Sequence, residues 1–264
     1  MRKLALFLFA AGLVLAGLVA APAGAAVVSR TVEYRQGETV MKGLVVWDDA
    51  VVGRRPGVLV VHEWWGLNAY ARHRAEMLAG LGYVAFAADM YGGGRTTEHP
   101  DQAKAFMEEA TAKVEIWRGR AQAALTALRA EPTVDPARIA AIGYCFGGAT
   151  VMQMAYAGAD VQGVMSFHGS LPPAEGVAPG KIKAKILAAH GAADALVPPE
   201  RVQAFEKSLE AAGADWELVV YGGARHSFTN PEAAKAGMAA LAYNPDADRR
   251  SWDLLQYFLK EIFK

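Results

Sequence analysis

Only one cysteine, Cys145, occurs in 264 residues, so no disulfide can close within the chain. Charge of either sign is not in excess: 27 Lys and Arg face 27 Asp and Glu. Proteins that neutralise many phosphates carry a basic field, and none is present, so nucleic acid is excluded as a partner. No acidic tail, internal repeat or low-complexity tract is found, which excludes solenoids and disordered interaction arms. Unbroken apolar runs are also scarce, and the long one lies at the N-terminus. What the chain does have is apolar residues, 53% of the total, enough to bury one sizeable core.

That N-terminal run reads as a targeting segment. Arg2 and Lys3 precede an apolar stretch over residues 4–20, followed by small residues from Ala21 to Ala26. Ala23-Gly24-Ala25 has the small-x-small form that signal peptidase cuts. Residues 1–25 are therefore expected to be a cleaved signal peptide, with residues 26–264 forming the mature domain, exported to the periplasm or beyond. After cleavage no stable membrane insertion is expected; the alternative is an uncleaved anchor. In an oxidising compartment cysteines usually pair. A single thiol left over is then an intermolecular link or a reactive group.

The mature part alternates strand-like and helix-like segments. Strands are expected at 31–34 and 39–47, then at 58–61, 83–88, 138–142, 161–167, 185–190 and 216–221. Helices are expected at 69–81, 101–113 and 116–130 (two helices or one broken unit), 147–156, 199–212 and 246–263. The run Val58-Leu59-Val60-Val61 suits a strand buried on both faces. On the last helix Trp252, Leu255, Phe258, Leu259 and Ile262 form one apolar stripe. An antiparallel start followed by βα units predicts an α/β-hydrolase fold: a mostly parallel central sheet with helices on both faces.

The chemistry concentrates around Gly143-Tyr144-Cys145-Phe146-Gly147-Gly148. A strand, a tight turn and a helix would lift the central side chain out of the backbone, and glycine at both flanks relieves the crowding this creates. No serine has glycine at both −2 and +2, so Cys145 is the candidate nucleophile. A buried structural thiol at a strand–helix junction is the plain alternative. A thiol needs a base, and the base needs an orienting acid. His226 follows the strand at 216–221 and the turn Gly222-Gly223. Asp194 follows the strand at 185–190, whereas Asp160 and Asp215 precede theirs and belong at the other end of the sheet. His73 and His99 read as surface residues. The order Cys145, Asp194, His226 is the nucleophile–acid–base order of α/β-hydrolases. Oxyanion donors are expected from the backbone N–H groups of Phe146 and Trp64. Glu63 can accept the thiol proton or hold the resting thiol protonated. Trp65, Tyr91 and Phe228 are candidates to line an apolar pocket.

Together, His62-Glu63-Trp64-Trp65-Gly66-Leu67-Asn68, Ala88-Asp89-Met90-Tyr91-Gly92, the elbow, Phe167-His168-Gly169, His190-Gly191 to Asp194, and His226-Ser227-Phe228 resemble the dienelactone hydrolase family across the mature chain. The resemblance implies a Cys-His-Asp triad, Glu63 close to the thiol and active when substrate binds, and hydrolysis of lactones or small esters without metal or cofactor. Family members that cleave dienelactone carry an arginine four residues after the histidine. Here Asn230 stands there, so a bidentate carboxylate clamp is missing. The expected partner is a small-molecule ester or lactone. Two rival readings remain: a non-catalytic binding protein on this scaffold, and a peptidase or acyltransferase using the same triad. Oligomeric state is not legible.

Overall fold

A computed structural model describes residues 26–264; the expected signal peptide lies outside them. Eight strands form one sheet: β1 (Val27–Gln36), β2 (Thr39–Asp48), β3 (Arg55–Val61), β4 (Val84–Ala88), β5 (Val134–Tyr144), β6 (Gly163–Phe167), β7 (Lys185–Gly191) and β8 (Trp216–Tyr221). Their order is β1-β2-β4-β3-β5-β6-β7-β8. β1 pairs antiparallel with β2, and β2 antiparallel with β4. Every later pairing is parallel. Six α-helices accompany them among the described residues: α1 (Ala69–Gly80), α2 (Pro100–Thr111), α3 (Val114–Arg129), α4 (Phe146–Ala157), α5 (Pro199–Ala211) and α6 (Pro245–Ile262). This is the α/β-hydrolase fold.

Side chains one residue apart on a strand face opposite sides, and two cores result. Leu59 and Val61 of β3 and Phe86 of β4 join Leu125, Val151 and Leu209 under α3, α4 and α5. Val58, Val60 and Ala85 join Leu78, Leu255 and Leu259 under α1 and α6. The stripe predicted on the last helix is the buried one, with Leu255, Phe258, Leu259 and Ile262 all in that second core. Each such side chain contributes roughly 1.5–3 kcal/mol on burial.

Two elements depart from the sequence expectation. β1 is ten residues long because it runs in register with the whole of β2; most of it is exposed, so only a partial hydrophobic alternation marks it. β5 begins at Val134, with its register against β3 broken between Pro56 and Gly57; the strand-averse Pro136 masks that early part. Between residues 100 and 130 the expected helices are two separate elements rather than one broken unit, parted where Lys113 turns to extended backbone (φ −133°, ψ 130°).

Parallel strands deliver their carboxyl ends to one edge. That edge presents Glu63 after β3, Asp89 after β4, Cys145 after β5, His168 after β6, Asp194 after β7 and His226 after β8. Asp89 is structural there. Its carboxylate accepts from the backbone N–H groups of Lys42, Tyr91, Gly92 and Gly94 at 2.8–2.9 Å, which ties down the glycine loop.

Candidate active site

Cys145 sits between β5 and α4 with φ 53° and ψ −113°, a left-handed backbone that costs a non-glycine residue about 1–3 kcal/mol. The surroundings over-determine it. Its N–H donates to Phe167 O at 3.0 Å, and its carbonyl accepts from Ala149 N at 3.2 Å. A Cβ on Gly143 would lie 2.0 Å from Gly147 O, and one on Gly147 would lie 2.2 Å from Val61 O. Only glycine permits the turn to close. Phe146, the first residue of α4, presents its N–H at the positive end of the helix.

His226 reaches Cys145 from the loop after β8. Its Nδ1–H donates to Asp194 Oδ2 at 2.8 Å, which leaves Nε2 for the sulfur. The other Asp194 oxygen accepts from Leu196 N at 2.9 Å. Both side chains are buried. Burial alone lowers the imidazole's pKa. The electrostatic coupling to Cys145 and the hydrogen bonds to Asp194 and Cys145 outweigh it and push His226 up to about 10.

Glu63 is 2% exposed. Ser227 Oγ donates to its Oε1 at 2.7 Å and Asn230 Nδ2 to its Oε2 at 2.6 Å. Burial raises its carboxyl pKa; the two hydrogen bonds and the charges of His226 and Arg74 act against that rise. The carboxylate engages this turn and does not form part of the cavity wall. Asn230, at the position of the absent arginine, therefore serves as a neutral partner of Glu63. Buried His62 fixes the backbone around it: Nδ1 bonds Glu63 O and Nε2 accepts from Met90 N at 3.2 Å, while burial lowers the ring to about 4.

A cavity of about 430 Å³ opens onto the sulfur, with Trp64, Phe146, Cys145, His226 and Ser227 at its base. Met107, Trp117, Ala149, Leu196, Val197, Met238 and Leu241 give it apolar walls, and apart from His226 no ionisable nitrogen or carboxylate lines it. Three residues expected on these walls are elsewhere. Tyr91 is fully buried against His62 and Phe146, its hydroxyl donating to Trp64 O at 2.9 Å. It orients the Trp64 peptide rather than meeting a ligand. Phe228 is core, packed edge-on against His168 at 5.2 Å. Trp65 points to a second, polar cleft and packs on Ala103, Ala233 and Leu241. Large aromatics at a sheet end bury themselves whenever a neighbouring element offers surface. His73 and His99 are exposed, as expected. Sequence reasoning passed over Ser227, Thr229, Tyr70 and Arg74. Arg74 left a trace: it shares the buried stripe of Ala71, Ala75 and Leu78 on α1. Among the described residues no cluster of three His, Cys, Asp or Glu is arranged to hold a metal ion.

The family model for the dienelactone hydrolase family matches residues 41–263. The chain belongs to that family. A solved structure named m3DLH is 41% identical, covers 90% of this chain and 99% of its own, and superposes with a TM-score of 0.87. A dienelactone hydrolase-like promiscuous phosphotriesterase from metagenomic libraries is 40% identical, covers 90% of this chain and 100% of its own, with a TM-score of 0.88. Protein usf of Aquifex pyrophilus is 30% identical over 215 residues, covering 78% of this chain and 88% of the relative. As a member of the dienelactone hydrolase family the protein is a hydrolase of the carboxylic ester and lactone type. Among the described residues no helix is long and apolar enough to cross a membrane.

Proposed function

We propose that the protein cleaves neutral, apolar esters or lactones through Cys145, His226 and Asp194. The observation that carries this is the cavity itself: a sulfur and an imidazole at the base of apolar walls that carry no cation. The Cys145 thiolate attacks the carbonyl carbon, and the N–H groups of Phe146 and Trp64 take the developing oxyanion, each worth about 3 kcal/mol. His226, held by Asp194, gives its Nε2 proton to the departing alkoxide. The imidazole then takes a proton from water, the hydroxide attacks the thioester, and the thiolate leaves. Glu63 takes part in activating the thiol when substrate binds, which requires it to leave Ser227 and Asn230. A carboxylate-bearing ester would enter these walls without a counter-charge, at a cost of several kcal/mol. Assay of Cys145→Ala against p-nitrophenyl acetate and simple lactones tests the covalent route. Turnover by that variant would overturn it, and acyl-enzyme seen by mass spectrometry in the wild type would support it.

A second reading rests on the relative named as a phosphotriesterase. A neutral phosphotriester has no anionic oxygen, so the same uncharged walls accept it. Comparing paraoxon with a matched aryl ester separates the two. Cleavage of residues 1–25 and export belong to the same proposal, and N-terminal sequencing of exported protein checks them. A peptide substrate would show as amide turnover in the same panel.

A further inference from the structure

Below the turn at residues 227–230 runs a chain of polar groups, buried at Arg74, Thr229 and His168 and half-buried at Tyr70, that the chemistry above does not use. Arg74 is 4% exposed. Its guanidinium lies over the rings of Tyr70, Tyr144 and Trp252 at 5.2, 5.6 and 5.6 Å. Nη2 donates to Asp248 Oδ1 at 2.5 Å and to Thr229 O at 2.6 Å, and Nε donates to the Tyr70 hydroxyl at 3.3 Å. That hydroxyl is 2.6 Å from Thr229 Oγ1, which is 2.7 Å from His168 Nε2. The Tyr70 hydroxyl, the Thr229 hydroxyl and His168 Nε2 thus form one continuous hydrogen-bonded run, anchored at one end by the Arg74 guanidinium, while His168 Nδ1 is buried without a partner. His168 meets His226 edge-on at 5.3 Å. Burial holds His168 well below its ordinary pKa, and the charges of His226, Arg74 and His190 act in the same direction. A neutral ring therefore stands beside the imidazole that must carry charge.

Arg74, Tyr70 and His168 all meet Thr229, in one short piece of chain. Asn230 N donates to Ser227 O at 2.9 Å, closing a turn in which Ser227 has a left-handed φ of 56°. His226 precedes that turn, and its Ser227 and Asn230 hold Glu63. We propose that Arg74, Tyr70, Thr229 and His168 form a positioning relay that sets the stance of His226 and of Glu63 together. It rests on the Cys145–His226 reading above. None of the four lines the cavity, so their loss reaches the chemical steps and leaves substrate binding alone.

Thr229→Val keeps the side-chain shape and removes the hydroxyl; Thr229→Ser keeps the hydroxyl. With p-nitrophenyl acetate, kcat of Thr229→Val is expected to fall about tenfold at unchanged KM, while Thr229→Ser stays within about twofold of wild type. Equal kcat in all three proteins, an equal fall in both variants, or a rise in KM with kcat intact would overturn the relay. If thermal unfolding shows Thr229→Val unfolded at assay temperature, Tyr70→Phe breaks the chain from the other side of Thr229. It must lower kcat several-fold at constant KM, and wild-type kcat there overturns the relay. An inactive Cys145→Ala beside a normal Thr229→Val removes only the relay; an active Cys145→Ala removes the triad.

Discussion

Two hollows flank the turn that holds Glu63, and they differ in kind. Ser227 borders the cavity of about 430 Å³ that contains Cys145. Asn230 borders a cleft of about 570 Å³ formed with Trp65, Asn68, Thr97, Glu98, His99 and Lys235. The second is larger and richer in polar groups, yet it holds no nucleophile and no strand-end imidazole. The first is smaller and almost wholly apolar, and the segments after β3, β5, β6, β7 and β8 converge on it. Size and polarity do not identify a reactive site; a strained thiol facing a buried, acid-oriented base does. Glu63 touches both sides through its two donors, so on the proposed function the turn is a partition with chemistry on one face only.

Removing the sulfur breaks this contrast most completely. Cys145→Ala should lower kcat/KM on aryl esters by on the order of 10⁵ or more, down to what the oxyanion donors and binding supply. Asp194→Asn leaves the packing in place but frees the His226 tautomer, and should cost on the order of a thousandfold in kcat. The same pair predicts a pH signature. The folded-state pKa of His226 is raised from 6.5 to about 10, so its charge stabilises the fold fully below pH 6.5 and that stability is lost as pH rises through about 10. The gap in thermal midpoint between wild type and Asp194→Asn should be widest in mildly acidic buffer and close toward pH 10. A gap that widens with alkalinity would mean that the imidazole is neutral in the folded protein. On the partition, Asn230→Ala leaves a buried Glu63 oxygen without its donor and should cost about 1–3 kcal/mol, read as a lower unfolding midpoint.

What the sequence disclosed follows the same division. Cys145, Asp194 and His226 were legible because strict rules govern them: glycine at the elbow, and strand-then-loop order for the acid and base. The parallel strands were legible as short β-branched runs, and the α6 stripe as a helical period. β1 was only half seen because it is exposed along most of its length, so its alternation is weak. Tyr91, Phe228 and Trp65 misled because aromatic residues near a sheet end carry no mark that tells wall from core. The Glu63 clasp was partly readable: Asn230 stood out as the missing arginine, but its bond to Glu63 depends on how residues 227–230 fold back. Arg74, a charge on the apolar stripe of α1, was the one unused sign of what lies beneath.

The smallest expected effect is the most pointed test of the contrast. His99 and Glu98 are exposed on the rim of the polar cleft, and His99 makes no side-chain cap to α2. If that cleft received substrate, His99→Ala together with Glu98→Ala would raise KM. With the reaction confined to the apolar side, the double variant should keep kcat and KM within about twofold and change stability by no more than about 0.5 kcal/mol per site. The corresponding change on the other face is Leu196→Ala, which opens the cavity mouth, where this side chain is 49% exposed. It should shift KM between short and bulky aryl esters by a few-fold, in line with about 1 kcal/mol for the apolar surface that the truncation takes from the mouth. A shift in KM from the polar rim, or none from Leu196, would reverse the assignment of the two hollows.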